Sequence, residues 1–482
     1  MAHPALIASW LLLLSCRSDG GKGPPGSTPV EAPTGETAVV DATGTTGATG
    51  GDTATAGPLP PNILLVISDD QGVDKVASYQ AHPAPPPTPT LDGLAARGVS
   101  FDRAYALPSC SPSRSALLTG RMPHRTGLGT VIQYLDDEEL PADSPSMARM
   151  LHTSPWPWKT AAFGKWHLSS YESDHGWDHP LELGFGEYAG GLGNLWDRYL
   201  DRHVPHGYTY WDKVEDGALH VETTYATTDT VDDALDAIGR LEEPWLVYVS
   251  LHAPHIPLHQ PPDGLADPVV DATGPNLYDA AVQALDTELG RLLGAVDVDD
   301  TLVVFTSDNG TESFGIRAPA NPRHGKLTAY EGGIRVPLIV AGPGVMEGAR
   351  SQALVHLVDL VPTVADVAQV DLSSSILDGE SLWPYLRDPA ATGRDMLHAG
   401  TFLPNGRGDA NLHSETWVSH GPRIKAVRFE RGPVAFVDLV EDPEEEDLVL
   451  SVDDLPEARR AEAQALVDAQ QAFFEGIDIP SW

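Results

Sequence analysis

"NILLVISDD", residues 62–70, is the stretch that decides the fold. It is an unbroken apolar run of strand length, rich in branched residues and closed by two aspartates. Alternation is absent, so both faces are expected to be buried, as in a parallel sheet covered by helices. The same pattern recurs in "TAAFGKWHL" (160–168), "PWLVYVSLHAPH" (244–255), "TLVVFTSDNG" (301–310) and "RVPLIVAGPG" (335–344). Between these runs, "TPTLDGLAARG" (88–98), "TDTVDDALDAIGRL" (228–241) and "YDAAVQALDTELGRLLGAV" (278–296) space their apolar residues by three and four. Strands alternating with amphipathic helices predict an α/β domain.

The residues just after the strands carry the chemistry. Asp69 and Asp70 close the first run, Lys165 and His167 the second, His252 and His255 the third, Asp308 and Asn309 the fourth. Open α/β sheets bind ligands outside the carboxyl ends of their strands. Ordinary turn chemistry would explain any one of these pairs. Four together aim ionisable groups at a single sheet edge.

The 482 residues suffice for one large or two ordinary domains, and 41% hydrophobic content for a sizeable core. A formal charge of -39, from 69 acidic and 30 basic residues, argues against a nucleic-acid binder. It suits a soluble surface or extracellular protein. An anionic substrate would then need a local positive focus, because the whole molecule repels it. The apolar run 5–14 is too short to span a bilayer, but it matches the core of a secretory signal over residues 1–15. Leu13-Leu14-Ser15-Cys16 resembles a bacterial lipobox, so Cys16 is expected to be lipidated and to anchor the chain to a cell-envelope membrane. His3 is the only candidate positive side chain before it; an ordinary cleaved signal, or none, are the other readings. Residues 16–60 are dominated by Gly, Thr, Ala, Pro and Ser and read as a disordered tether.

The second of the two cysteines, Cys110, opens "CSPSRSALLTGR" (110–121). No disulfide is expected between cysteines so placed. Pro112 suits the first turn of a helix and Gly120 its stop. A helix N-terminus favours anions and lowers a thiol's pKa. A buried inert cysteine is the bland alternative, weakened by the polar neighbours Ser109, Ser111, Ser113 and Arg114.

The segment Cys110-Ser111-Pro112-Ser113-Arg114, with Leu118-Thr119-Gly120-Arg121, resembles the signature of type I sulfatases, C-x-P-S-R-x-x-x-L-T-G-R. The resemblance runs from about residue 62 to about 448, through "SDD", "GKWHL", "APHIP", "SDNG", "HGKLTAYEGGIRVP" and "FVDLVEDPEEEDL". It implies an alkaline-phosphatase-like α/β fold: a large mixed, mostly parallel central sheet flanked by helices over 61–390, and a C-terminal α+β subdomain with a short antiparallel sheet over 391–482. It also implies that a maturation enzyme oxidises Cys110 to formylglycine (3-oxoalanine), whose hydrate is the nucleophile. Asp69, Asp70, Asp308, Asn309 and the modified Cys110 would then hold calcium, with magnesium possible, since hard oxygen donors suit these ions. Arg114 and Lys165 would stabilise the hydrate and the sulfate. His167 would help expel sulfate, and His255 with Lys326 would contact sulfate and protonate the leaving oxygen. The expected substrate is a sulfated carbohydrate or an aryl sulfate. "GRMPHRTGLGT" and "HGYTYWDK" lean towards the arylsulfatase B-like, N-acetylgalactosamine 4-sulfatase-like group.

Two departures stand out: Ser169 replaces a glycine after "GKWHL", and Gln71 follows the aspartate pair; neither is expected to remove a ligand. His252 and His324 read as structural or supporting histidines, with His324 also a candidate to face substrate. Trp156 and Trp158 read as core, with sugar stacking a lesser alternative. The acidic run 441–447 reads as a solvated turn. Competing functions are a phosphonate or phosphate monoester hydrolase of the same superfamily, and an inactive binder of sulfated glycans.

Overall fold

The computed structural model describes residues 58–480 apart from 216, 407–412, 430–431 and 476–478. The expected signal segment, Cys16 and nearly all of the expected tether lie outside the described residues. Residues Pro58–Trp482 hold together as one compact unit.

Ten strands form the large sheet: β1 Asn62–Ser68, β2 Gly98–Tyr105, β3 Lys159–Gly164, β4 Glu187–Gly190, β5 Trp211–Glu215, β6 Ala218–Glu222, β7 Trp245–Ser250, β8 Thr301–Ser307, β9 Leu338–Ala341 and β10 Ala349–His356. Their order is β10-β2-β9-β8-β1-β7-β3-β4-β5-β6. The central quartet β8-β1-β7-β3 is parallel throughout. Every residue of β1, β7 and β8 is buried, as the absence of alternation predicts. Successive side chains of β1 enter opposite cores. Ile63, Leu65 and Ile67 join one cluster, with Leu117 and Leu118 of the helix Cys110–Thr119 and Leu360, Val361 and Val364 of the helix Leu360–Ala368. Leu64 and Val66 join the other, with Val231 and Ala234 of the helix Ala226–Arg240 and Leu285 and Leu289 of the helix Gly274–Leu293. Each fully buried branched side chain contributes about 1.5–3 kcal/mol, so this doubly covered strand is a rigid support.

Register then sets the site. Ser68 lies opposite Ser307, Ile67 opposite Ser250, and Ser250 opposite Gly164. The four strands end level, and their following loops leave from one edge. One run departs from expectation: 335–344 yields only β9, which is antiparallel to both neighbours.

A second sheet, ordered β11-β12-β13-β14, is antiparallel: β11 Leu397–Leu403, β12 His413–His420, β13 Ile424–Phe429 and β14 Val434–Asp438. Its Leu397, Ala399, Val418 and Val427 pack on Tyr105, Leu107, Ala116 and Leu354 of the large-sheet side. At this junction Lys425 is fully buried. Its Nζ lies 3.2 Å from Glu331 Oε1 and contacts Glu445 Oε1, while Glu445 Oε2 accepts the Glu331 backbone N–H. The acidic run 441–447 is therefore not simply solvated: Glu445 is only 3% exposed, because a buried ammonium lies beneath it.

Candidate active site

The helix Cys110–Thr119 begins at Cys110 and stops at Gly120, whose φ is 67°. All ten of its residues are buried. Cys110 Sγ lies 3.5 Å from Asp69 Oδ1 and 4.0 Å from Asp70 Oδ1. Lys165 reaches the same place from the end of β3. Its Nζ is 2.5 Å from Asp69 Oδ2, 2.9 Å from Asn194 Oδ1 and 3.7 Å from Cys110 Sγ. The turn that delivers it needs Gly164: φ is +90°, and a Cβ there would meet the Ser250 carbonyl oxygen at 2.1 Å.

Arg114, one turn along the helix, points its guanidinium at Asp308. Nε and Nη2 donate to Asp308 Oδ2 at 3.0 and 2.7 Å, and Nη1 donates to the Lys165 carbonyl at 3.1 Å and to Ser250 Oγ. Lys326 approaches Asp70, with Nζ 2.7 Å from Oδ1 and 2.9 Å from Oδ2. His255 Nε2 lies 3.6 Å from Asp70 Oδ2. The sequence-predicted residues Asp69, Asp70, Cys110, Arg114, Lys165, His255, Asp308, Asn309 and Lys326 thus share one pocket, and His167 lines its wall.

The histidines have defined faces. His167 Nε2 lies 3.1 Å from the Ile132 carbonyl; a carbonyl only accepts, so Nε2 carries the hydrogen. Its Nδ1 is buried without a partner and keeps a free lone pair. His255 Nδ1 lies 3.0 Å from the Ile256 carbonyl, which leaves Nε2 facing Asp70. Asp70 and His167 both hold positive φ, 73° and 61°, a strained conformation that collects at functional sites.

Electrostatics divide the carboxylates. Burial raises Asp69, but the fixed charges of Lys165, Arg114 and Lys326 outweigh it and hold its carboxyl well below the usual range. Burial, with the Asp69 charge, pushes Asp70 well up against the pull of Lys326. Asp308 is raised by burial and by Asp69. Burial, with the Lys165 and Arg114 charges, holds His167 well down. His255 is likewise held down, chiefly by burial. The thiol departs from the sequence expectation: Cys110 is raised, not lowered, because loss of hydration, with the Asp308 and Asp69 charges, outweighs Lys165 and Lys326. As a thiol it is a poor nucleophile here.

The donor set fits a divalent cation. Ligand atoms of Asp69, Asp70, Cys110 and His255 lie within 4.8 Å of one another. Asp308 stands outside that group; its Oδ1 accepts the Asp70 N–H at 3.0 Å, and its Oδ2 takes the Arg114 fork. Asn309 donates from Nδ2 to Asp70 Oδ1 at 2.8 Å, and its Oδ1 is buried with no partner. A buried amide oxygen left free beside three carboxylates is what a hard cation requires.

Other residues fall elsewhere. His252 is buried under Trp211, and burial pushes its pKa down to about 3. His324 stacks on Tyr330 at 3.7 Å, with Nδ1 against the Glu444 carbonyl, and braces the sheet junction. Trp156 and Trp158 are core residues, 6% and 7% exposed. Ser169 is buried and bonds the Gly176 carbonyl, away from the pocket groups. Gln71 is buried, with its N–H on Ser307 Oγ and neither side-chain polar atom hydrogen-bonded. Sequence reasoning missed Ser250, Asn194 and Trp196, whose ring stacks on His255 at 4.8 Å and 18°. Ser250 closes an apolar run, and the other two sit in a glycine-rich loop without periodicity; only their polar or aromatic character was a signal.

A buried cysteine beside three cations and three carboxylates, at the carboxyl edge of an α/β sheet, makes a pocket able to hold a divalent cation and an anionic group. The sequence profile of the family described as Sulfatase matches residues 61–370. Over 398 residues the chain is 31% identical to N-acetylgalactosamine-6-sulfatase of Canis lupus familiaris, covering 76% of this chain and 74% of that one. Over 470 residues it is 30% identical to arylsulfatase A of Bos taurus, covering 87% and 90%. The solved structure of Ps i-CgsB in complex with k-i-k-neocarrahexaose matches with TM-score 0.73 at 27% identity, covering 88% of this chain and 94% of that one. The chain belongs to the sulfatase family, and it is a sulfuric ester hydrolase.

Proposed function

We propose that this enzyme hydrolyses sulfate monoesters of carbohydrates through a formylglycine made from Cys110, next to a calcium ion held by Asp69, Asp70, Asp308, Asn309 and residue 110; magnesium is the alternative ion. One observation carries this reading. Cys110 is buried at the convergence of Arg114, Lys165, Lys326 and the aspartates, where its thiol is deactivated. When present, the modified residue supplies a hydrated-aldehyde oxygen as nucleophile, and the cation polarises a sulfate oxygen.

The chain's own residues do the rest. Arg114, Lys165 and Lys326 balance the three carboxylates, so a divalent ion leaves the pocket positive for an anionic ester. Lys165 and Lys326 orient the sulfate oxygens. His167 accepts a proton at its free Nδ1 while Nε2 stays tied to Ile132. His255 Nε2 faces the leaving oxygen. A bound sulfate raises the pKa of this otherwise neutral imidazole, so that Nε2 donates a proton as the bond breaks. Protonation matters most for a sugar, whose alkoxide is a poor leaving group. The sugar ligand of Ps i-CgsB and the named substrate of N-acetylgalactosamine-6-sulfatase support carbohydrate as the substrate class.

The same reading includes an exported enzyme, matured by a formylglycine-generating enzyme, processed after residue 15 and tethered by residues 16–60 to a bacterial cell-envelope membrane through lipid on Cys16. On this reading residues 61–390 make up the catalytic region and 391–482 the C-terminal subdomain. Two measurements test the chemistry. The mass of tryptic peptide 104–114 from native protein is expected to show aldehyde in place of thiol. Parallel assays are expected to show strong preference for 4-nitrophenyl sulfate over an aryl phosphonate. An unmodified thiol in active enzyme, or a preference for phosphonate, overturns the proposal.

A further inference from the structure

The loop between β4 and β5 touches three groups of the pocket. The Trp166 and His167 N–H groups donate to the Gly191 and Leu192 carbonyls at 2.9 and 2.8 Å. Asn194 Oδ1 accepts from Lys165 Nζ. Trp196 stacks on His255. The loop is itself braced, because Asn194 N–H donates to Asp197 Oδ2 at 2.6 Å and Asp197 is only 7% exposed.

His255 is buried, and its Nε2 approaches Asp70 Oδ2 at 3.6 Å. Its one ring hydrogen bond, Nδ1 to the adjacent Ile256 carbonyl, fixes the ring only in its own plane. Tyr208 Oη contacts the carbonyls of His252 and His255 and so steadies the backbone, not the ring. The face of the imidazole is covered by the Trp196 indole, nearly parallel to it. Trp196 is half-buried and belongs to none of the hydrophobic clusters among the described residues, so core packing does not account for it.

We propose that Trp196 is a positioning residue: its stack holds His255 Nε2 in line with the leaving oxygen and thereby sets how well the enzyme cleaves esters of poor leaving groups. This rests on the proposed role of His255 as proton donor. Misplacing a proton donor costs most when the leaving group is basic, and little when it departs unaided.

The test uses the matured full-length enzyme and two aryl sulfates of similar shape, 4-nitrophenyl sulfate and 4-methoxyphenyl sulfate. Trp196→Leu is expected to lower kcat on the methoxyphenyl ester about tenfold more than on the nitrophenyl ester, with Trp196→Phe restoring most of the difference. Equal loss on both substrates, no loss, or a rise confined to KM overturns the proposal. If Trp196→Leu does not fold, Trp196→Met is measured by the same criteria, and a Trp196→Phe variant that loses the two substrates equally also counts against the proposal. His255→Ala separates the two readings. If His255→Ala shows no leaving-group dependence, its role as donor fails; if it does and Trp196→Leu does not, only the positioning role fails.

Discussion

Lys165 and Lys425 are both buried ammonium groups, one at the carboxyl edge of the large sheet and one where the small sheet docks. Their surroundings differ in what remains free. Lys425 sits between Glu331 and Glu445, and the second carboxylate of that pair also takes the Glu331 N–H. Lys165 joins a pocket where a ring nitrogen of His167 and the amide oxygen of Asn309 have no partner. Closed charge networks hold elements together, whereas an open one costs stability and waits for something to complete it. The contrast is one of degree, since both ring nitrogens of His420 beside Glu331 also lack a hydrogen-bond partner; the free groups at Lys165 differ in lying among the strand-end carboxylates.

The sharpest test removes the centre of the open network. Cys110→Ala is expected to lower sulfatase kcat by about 10^4-fold or more while the melting temperature stays within about 4 °C. Loss of the fold instead would place Cys110 with the structural group and break the contrast. Next in size, exhaustive dialysis against a chelator is expected to reduce turnover by about two orders of magnitude, with calcium or magnesium restoring it and zinc failing to. Full activity in protein shown by elemental analysis to lack metal would mean that the pocket is already complete.

At the closed network the expected effects reverse. Lys425→Met strands the buried Glu445 carboxylate and the half-buried Glu331 carboxylate and should cost about 3 kcal/mol in urea unfolding, while kcat of the folded fraction is retained. A smaller effect concerns pH. Burial, with the neighbouring Glu331 charge, raises Glu445 to about 7. The folded state then binds the proton more tightly than the unfolded state. That contribution is complete below the unfolded value near 4.5 and is lost as pH rises through 7. Between pH 5 and 8 wild type should lose roughly 2 kcal/mol relative to Glu445→Gln, read from paired denaturation curves. Parallel curves would mean that Lys425 keeps Glu445 ionised throughout.

Much of the fold and the site is legible in the sequence, and the reasons are specific. β1, β7 and β8 can be read because burial on both faces leaves no polar residue to confuse the pattern. β2 and β10 cannot, since Asp102, Arg103, Arg350 and Gln352 interrupt them near the sheet's edge. The strand-end groups can be read because parallel register makes sequence neighbours of a strand end into spatial neighbours of one another. Trp196 and Asn194 escape because a loop has no periodicity to project. The raised Cys110 thiol and the buried Glu445 escape for a common reason: a sequence shows a charge or a helix terminus but not how much water has been removed from it.

The depth of Cys110 also sets a clock. Cys110 is 1% exposed, and every side chain of its helix is packed. On the proposed reading, an enzyme that oxidises this residue and replaces its sulfur with an aldehyde oxygen must grip residues that the native chain has already committed to its interior. Maturation therefore competes with folding, and only once per molecule. A chain that folds first stays a thiol for its lifetime, well packed and inert. The specific activity of any preparation then reports the history of its synthesis, and no later incubation of native protein with the maturation enzyme can raise it.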